Sequence, residues 1–458
     1  MKVIICGAGK VGHGIARQLV AEGNDVTVID WRAELIREIQ ETLDLRGIVG
    51  HGAHPDVLDR AGAGEAELLI AVTYSDEVNM VAAQIGHSLF SVPLKIARVR
   101  AQSYLNPIWR NLFTRDHMPI DVIISPEVEV GRSVIRRLEV PGAFESIDFA
   151  GGLVQLVGAR IGAGSPVAGS QIKQIRELFP DLSTRIVAIA RGERVFVPDP
   201  TDQMLEGDDA YFVGARGHVP RMLEIFGHEE HQTRRVVILG GGNIGLYVAR
   251  ELEKRESRIK VRLVEVEKSR AEEAAEELER TVVLHGSGLD QEILDEAGVA
   301  ETEAFLAVTN DDKVNILSSL MAKNMGAPRV ITLLNNQDYA GLVATLGIDA
   351  WLDPRATTVS TILQHIRRGR IKALHSIRGG VGEVIEGEAL QTSPLVGRPL
   401  HEVDLPAGVA IGAVVRDEHV LLLTPETVIE PKDHVVMFAE RAMVRRVEQY
   451  FRVGLEYF

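Results

Sequence analysis

Two glycine-rich turns carry the residue spacing best suited to chemistry. Gly7, Gly9 and Gly12 follow the apolar stretch Lys2 to Cys6, and Gly240, Gly242 and Gly245 follow Arg235 to Leu239. Both sets have the G-x-G-x-x-G spacing between a strand-like run and a helix-like run. In that context the first glycine permits a tight turn. The second lets the backbone approach a pyrophosphate, and the third lets the helix pack closely. The helix N-terminus then presents unpaired N–H groups and partial positive charge to the phosphates. Asp30 ends the next β-branched run, 18 residues past Gly12. A carboxylate there meets the adenosine ribose hydroxyls and favours NAD over NADP, whose 2′-phosphate it repels. Glu265 takes the same place after Val261 to Val264.

Strand ends supply the other candidates, because a doubly wound sheet binds ligand at its carboxyl edge. Leu68 to Thr73 reads as a buried strand, so Thr73 and Tyr74 are placed to touch the adenosine or ribose. Lys95 to Arg100 reads as a further strand, on which alternation puts Arg98 and Arg100 on one face, within reach of phosphates. The second copy has Val330 to Leu334 there and lacks the arginine pair, so the two sites are expected to differ in affinity or ligand preference.

The elements that must hold these residues repeat. The glycine turn recurs at an offset of 233 residues, and Ala71 to Asn79 matches Ala307 to Asn315 at six of nine positions. In repeat one, helices are expected at Gly14 to Glu22, Ala33 to Thr42, Pro55 to Ala61 and Val78 to Ser88, with a sixth strand at Asp121 to Ile124. Pro126 to Leu138 reads as one amphipathic crossover helix. From Pro141 short strands are expected at 143–149, 153–160, 186–191, 194–197 and 210–213, with helices at 170–178 and 219–226. This small lobe repeats too: Ala188 to Arg191 matches Ala413 to Arg416, and Leu205 to Asp209 matches Ile429 to Asp433. The fold class is therefore α/β: two tandem Rossmann-like, doubly wound parallel-sheet domains, each followed by a small α+β lobe. The expected boundaries are 1–124, 140–226, 233–353 and 371–454.

Composition bounds the function. A chain of 458 residues is too long for one ordinary core. The net charge of −15 argues against a nucleic-acid surface, which carries a basic stripe. The single cysteine, Cys6, excludes an internal disulfide and reads as an inert core residue in a reducing compartment. His51 and His54 have no further cluster at metal-ligand spacing, so no metal is expected. Basic clusters at Arg132-Arg136-Arg137 and at Arg367-Arg368-Arg370-Lys372 read first as solvated helix faces and second as a partner or lipid surface. No apolar run approaches the roughly 18 residues that span a bilayer, and Met1 leads straight into a strand. A cytoplasmic location, with membrane action only through a partner, is the expectation.

The doubled layout and the motifs CGAGKVG, VTVID, HGAHPDVL, AVTYSDEVNM, GGGNIG, AVTNDD and VIEPKDHVVMF resemble the TrkA family, the NAD-binding peripheral subunits of bacterial Trk potassium-uptake systems. The resemblance covers essentially the whole chain, the larger lobes being similar to RCK-N domains and the small ones to RCK-C domains. It implies a regulatory, non-enzymatic protein that forms a homo-oligomeric ring on a potassium-translocating membrane subunit. NAD(H) is the implied ligand, with ATP and ADP competing. Carried over, the first site uses Gly7, Ala8, Gly9, Lys10, Val11, Asp30, Thr73, Tyr74 and Arg98. The second uses Gly240, Gly241, Gly242, Asn243, Ile244, Glu265, Thr309 and Asn310. Tyr74 stands where a small polar residue is expected, so its contact would be through the backbone.

Two other classes compete. An NAD-dependent oxidoreductase needs an acid/base group placed near the nicotinamide, and the small lobes supply none in both copies. A redox-sensing DNA-binding repressor needs a basic helix-turn-helix face that the composition does not favour.

Overall fold

The computed structural model describes residues 1–458 except Pro141, Glu193, 229–232, 255–258, 367–370, 378–379 and 452–458. The first α/β lobe runs β1 (Lys2–Cys6), α1 (Lys10–Ala21), β2 (Asp25–Asp30), α2 (Ala33–Thr42), β3 (Arg46–Val49), α3 (Pro55–Arg60), β4 (Leu68–Ala71), α4 (Asp76–Ser88), β5 (Leu94–Arg98) and β6 (Val122–Ile124). Its strands form one parallel sheet in the order β3-β2-β1-β4-β5-β6. Both faces are covered, so β4 is buried at all four positions and reads as a continuous apolar run.

After α5 (Pro126–Glu139) come β7 (Glu145–Phe149), β8 (Val154–Arg160), α6 (Ile172–Leu178), β9 (Thr184–Arg191), β10 (Arg194–Phe196), β11 (Asp209–Ala215) and α7 (Val219–Ile225). These strands make an antiparallel sheet ordered β10-β9-β11-β8-β7. The second α/β lobe runs β12 (Arg235–Leu239), α8 (Asn243–Lys254), β13 (Lys260–Glu265), α9 (Lys268–Glu277), β14 (Val282–His285), α10 (Gln291–Glu296), β15 (Ala304–Ala307), α11 (Asp312–Asn324), β16 (Val330–Leu333), α12 (Ala340–Thr345) and β17 (Ala350–Leu352). Its sheet, β14-β13-β12-β15-β16-β17, repeats the order of the first. Then follow α13 (Pro354–Ile366), β18 (Ile371–Ile377), β19 (Gly382–Glu388), β20 (Val409–Arg416), β21 (His419–Val420), β22 (His434–Glu440) and α14 (Val444–Gln449). The last antiparallel sheet is ordered β18-β19-β22-β20-β21.

Like pairs with like. The chain divides into one compact unit of Met1–Val134 with Arg234–Ile366 and another of Ile135–Thr233 with Arg367–Phe458. In the first unit the two α/β lobes exchange helices. Ile362, Leu363 and Ile366 of α13 are buried in the core of the first lobe with Ile15 and Leu19 of α1. At Gly14, a Cβ would stand 3.0 Å from Val359 Cγ2, so the small residue admits α13. Reciprocally, Gly131 of α5 lies against the Tyr247 ring of α8, with no room for a side chain. In the second unit one face of each antiparallel sheet contributes to a common core: Leu156 and Val213 from one, Val384, Val436 and Phe438 from the other. The opposite face of the first sheet, with Val157 and Phe212, packs on Met222 and Phe226. Such strands are buried on both sides, as β8 is at six of its seven positions.

Two local expectations are corrected. The first helix begins at Lys10, not Gly14, because Gly9 serves as its N-cap and Gly12 and Gly14 lie inside it. The small-lobe turns align one residue differently from the sequence match. Asp208, not Asp209, corresponds to Asp433: each takes a bidentate arginine, Arg191 at 2.8 and 2.7 Å and Arg416 at 2.9 and 2.8 Å. The left-handed residue of that turn is Gly207 (φ 85°) in one copy and Lys432 (φ 78°) in the other, which hides the register from a glycine-based match.

Candidate functional site

Each glycine of the turn has a distinct neighbourhood. Gly7 and Gly240 adopt φ of +112° and +108°, where a side chain is strained. At Gly12 and Gly245 a Cβ would fall well inside contact distance of the carbonyl oxygens of Gly7 and Gly240, so only glycine lets the helix sit on the turn. At Gly9 and Gly242 a Cβ would meet nothing within 4 Å. The middle glycine thus borders open space at the amino end of α1 and α8. Gly9 caps α1 with no side-chain hydrogen bond, and no acid occupies the first turn. The N–H groups there are available to an anion. Ala8 and Val11 are buried, while Lys10 and Asn243 are exposed and Ile244 half-buried.

The acids are brought to these turns. Asp30 Oδ2 accepts from the Ala8 N–H at 2.8 Å and Oδ1 from the Arg32 N–H at 2.9 Å. Glu265 does the same for Gly241 (2.6 Å) and Glu267 (2.9 Å). Both are buried, at 8% and 6% exposure. Each carboxylate therefore fixes the glycine turn and retains lone pairs for further donors, since it offers about four acceptor sites.

Thr73 and Thr309 stand at the carboxyl edge of β4 and β15, with their hydroxyls already engaged. Thr73 Oγ1 donates to Asn79 Oδ1 at 2.7 Å, and Thr309 Oγ1 to Asn315 Oδ1 at 2.7 Å. Asn79 Nδ2 donates on to the carbonyls of Thr73 (3.1 Å) and Arg98 (2.9 Å). Asn315 bonds Thr309 and Leu333 likewise. These fully buried asparagines latch two strand ends, and the sequence reading passed them over. The signal was there: D-x-x-N recurs as Asp76 to Asn79 and Asp312 to Asn315. The aspartates cap the following loop, Asp76 Oδ2 on the N–H groups of Arg100 and Ala101, and Asp312 on Asn335 and Asn336. Tyr74 and Asn310 are exposed, Tyr74 at 85%.

Arg98 and Arg100 part company. β5 ends at Arg98, so strand alternation does not carry to Arg100. Arg100 Nε instead pairs with Glu127 at 2.9 Å, and its guanidinium lies over the Tyr74 ring at 5.6 Å. Arg98 donates to the Thr73 carbonyl at 2.9 Å, and its buried Nε has no acceptor. A half-buried cation with an unused buried donor, at the carboxyl end of β5 beside the Thr73 end of β4, is suited to an anion. The second lobe has Leu333 and Asn335 at these positions.

Outside the turns, His51 and His54 stack on each other at 4.6 Å. The basic face of α5 is used internally: Arg132 pairs with Glu129 at 2.8 Å and Arg137 Nε donates to the Phe144 carbonyl at 2.7 Å. Of the other cluster, Arg367, Arg368 and Arg370 lie outside the described residues, and Lys372 Nζ bonds His434 at 2.8 Å. No helix among the described residues is long and apolar enough to cross a membrane. Cys6 is fully buried, and desolvation pushes its thiol up to about 12. The native chain is therefore expected to resist iodoacetamide and to take up one equivalent only when unfolded. Rapid native alkylation, followed by mass, would make Cys6 a reactive thiol and overturn the inert reading.

The TrkA-N domain family matches residues 3–126 and 236–354, and the TrkA-C domain family 156–227 and 388–452. The Trk system potassium uptake protein TrkA of Azorhizobium caulinodans is 55% identical over 458 residues, covering 100% of each chain. That of Halomonas elongata is 44% identical over 463 residues, again covering 100% of each. Among solved structures, the RCK domain of GsuK superposes with a TM-score of 0.60 at 17% identity, over 98% of this chain and 94% of that one. The GsuK channel bound to NAD gives 0.60 at 16%, over 98% and 78%. At such identity these likenesses show the fold.

Proposed function

The chain belongs to the TrkA family, and from that premise we propose that it is the nucleotide-binding regulatory subunit of a Trk-type potassium-uptake system, acting at the inner face of the membrane. The observation that carries this reading is the doubled glycine turn with a buried acid on each: Gly7 to Val11 with Asp30, and Gly240 to Ile244 with Glu265. NAD(H) binds both, with ATP and ADP competing. Its pyrophosphate lies along Gly9 and Gly242, its ribose on the acids, and Arg98 adds a phosphate contact in the first lobe alone. Thr73, Tyr74, Thr309 and Asn310 border the sites through their backbone, since the threonine hydroxyls serve the asparagine latch. The four lobes keep the boundaries 1–124, 140–226, 233–353 and 371–454.

The protein transmits occupancy and does not consume the nucleotide. Several copies form a ring on the potassium-translocating subunit, and a nucleotide shifts that ring only by its differential affinity for two conformations. The relatives at 55% and 44% identity are potassium uptake proteins, which disfavours an oxidoreductase.

Calorimetry of NADH against the full chain tests the sites. Two sites per chain are expected, and Gly9→Asp or Gly242→Asp should each remove one without unfolding, because each Cβ enters open space and the added charge repels phosphate. Unchanged stoichiometry in both variants sinks the assignment. Co-purification with a membrane subunit, and potassium flux with and without nucleotide, tests the gating.

A further inference from the structure

The two α/β lobes differ where a nucleotide's base would emerge. After Asp30 the chain reads Trp31-Arg32, and after Glu265 it reads Val266-Glu267. Trp31 is 71% exposed at the carboxyl end of β2. An indole held in water forgoes burial that most large aromatics obtain, and this one lies beside a carboxylate already tied to the glycine turn. Arg32 is shared between them. Its guanidinium sits 6.0 Å from the Trp31 ring centroid and its Nε 3.7 Å from Asp30 Oδ1. The cation thus covers one side of the ring while most of the side chain stays open. Val266 is also exposed, at 66%, but has no π face, and Glu267 reverses the charge of Arg32.

A ribose held by Asp30 carries its base on the adjacent carbon framework, next to the residue that follows the acid. A flat, exposed aromatic is the surface a purine recognises, by stacking that is sequence-tolerant and driven by area and polarisability. We propose that Trp31, backed by Arg32, is the stacking platform for the purine base of the nucleotide in the first lobe. Among its described residues the second lobe has Val266 in this place and no such platform, and it holds its nucleotide by phosphate and ribose alone. The first lobe therefore selects for purine-bearing nucleotides, and the second is the less discriminating sensor. This inference rests on nucleotide binding at the glycine turns.

The experiment uses the full chain with Gly242→Asp to silence the second lobe, with NAD⁺ and nicotinamide mononucleotide as probes. Trp31 is mostly exposed, so its replacement leaves the fold intact. Trp31→Ala is expected to weaken NAD⁺ about tenfold, and Trp31→Phe to stay within about threefold of the parent. The purine-free mononucleotide should bind all three chains alike. NAD⁺ should quench the parent's tryptophan emission, and that quench should vanish in Trp31→Phe. Equal NAD⁺ affinity in Trp31→Ala, or an equal loss for the mononucleotide, overturns the platform while leaving the nucleotide site standing. A parent chain that binds neither probe overturns the site itself and the platform with it.

Discussion

Gly12→Ala is expected to cost about 3 kcal/mol and to abolish nucleotide binding in the first lobe, while Gly9→Ala leaves stability unchanged. The two residues are three apart in one motif, yet their surroundings differ. A Cβ at Gly12 would press into the Gly7 carbonyl oxygen, which is main chain held by Gly7 N–H donation to Ile29 O at 2.7 Å. Neither atom is the free end of a flexible side chain, so relief requires moving α1 off the turn. Overpacking of this kind costs about 1–3 kcal/mol and occasionally more. Moving α1 also disturbs Ile15 and Leu19, which pack on Ile362 and Leu363 of the exchanged α13. The damage thus spreads through the α/β pair.

A Cβ at Gly9 has nothing within 4 Å, so the same methyl is harmless to the fold and obstructs only what approaches the turn. The chain's three tryptophans, Trp31, Trp109 and Trp351, all lie in the unit that holds both α/β lobes. Thermal unfolding followed by tryptophan emission therefore reports that unit. Its midpoint should fall by about 5–10 °C in Gly12→Ala and stay put in Gly9→Ala. A Gly12→Ala chain that melts like the parent would remove the close-packing role of the third glycine.

Much of this organisation was legible in the residues. Parallel strands buried on both faces read as apolar runs, and the helix over Ala33–Thr42 falls where periodicity places it. Glycine spacing marked the turns because the positive φ at Gly7 and Gly240, and the close carbonyl approach at Gly12 and Gly245, admit no side chain. What stayed hidden depends on contacts between distant segments. Nothing local in Gly131 says that Tyr247 will lie against it, or in Gly14 that Val359 will, so the pairing of like lobes was not read from the order of the repeats. Arg100 seemed to share a face with Arg98 because the strand was carried two residues too far. The Asp76 cap on the Arg100 and Ala101 N–H groups is what turns the chain there. Asn79 looked like an ordinary helix residue, although its side chain spans two strand ends.

Glu145→Ala is expected to destabilise the small-lobe unit by about 3 kcal/mol with no effect on nucleotide affinity. Glu145 lies on the edge strand β7, and its Oε1 meets His375 Nε2 of the other sheet's edge strand, β18, at 2.7 Å. Burial raises the Glu145 pKa, but His375, Arg137 and Arg136 outweigh it and hold the carboxyl below its ordinary value of 4.5. Burial in turn lowers Arg137 to about 10, although Glu145 beside it acts the other way. Removing the carboxylate leaves the Arg137 and Arg136 guanidinium groups without it in a desolvated seam. Breaking a buried pair costs about 3–5 kcal/mol, and the lower end applies because Glu145 and His375 keep 18% and 14% exposure. Glu145→Gln, which keeps an acceptor for His375, should lose less. The unit has no tryptophan, so its transition is seen by far-ultraviolet circular dichroism and not by emission. A carboxylate whose folded pKa is depressed stabilises above the unfolded value and loses that contribution as pH falls through the folded one. The gap between parent and Glu145→Ala should therefore narrow below about pH 4.5. A gap that is absent at neutral pH would show that the edge strands are joined by their shared apolar core alone, and one that does not narrow below about pH 4.5 would show that the ionised carboxylate is not what stabilises the seam.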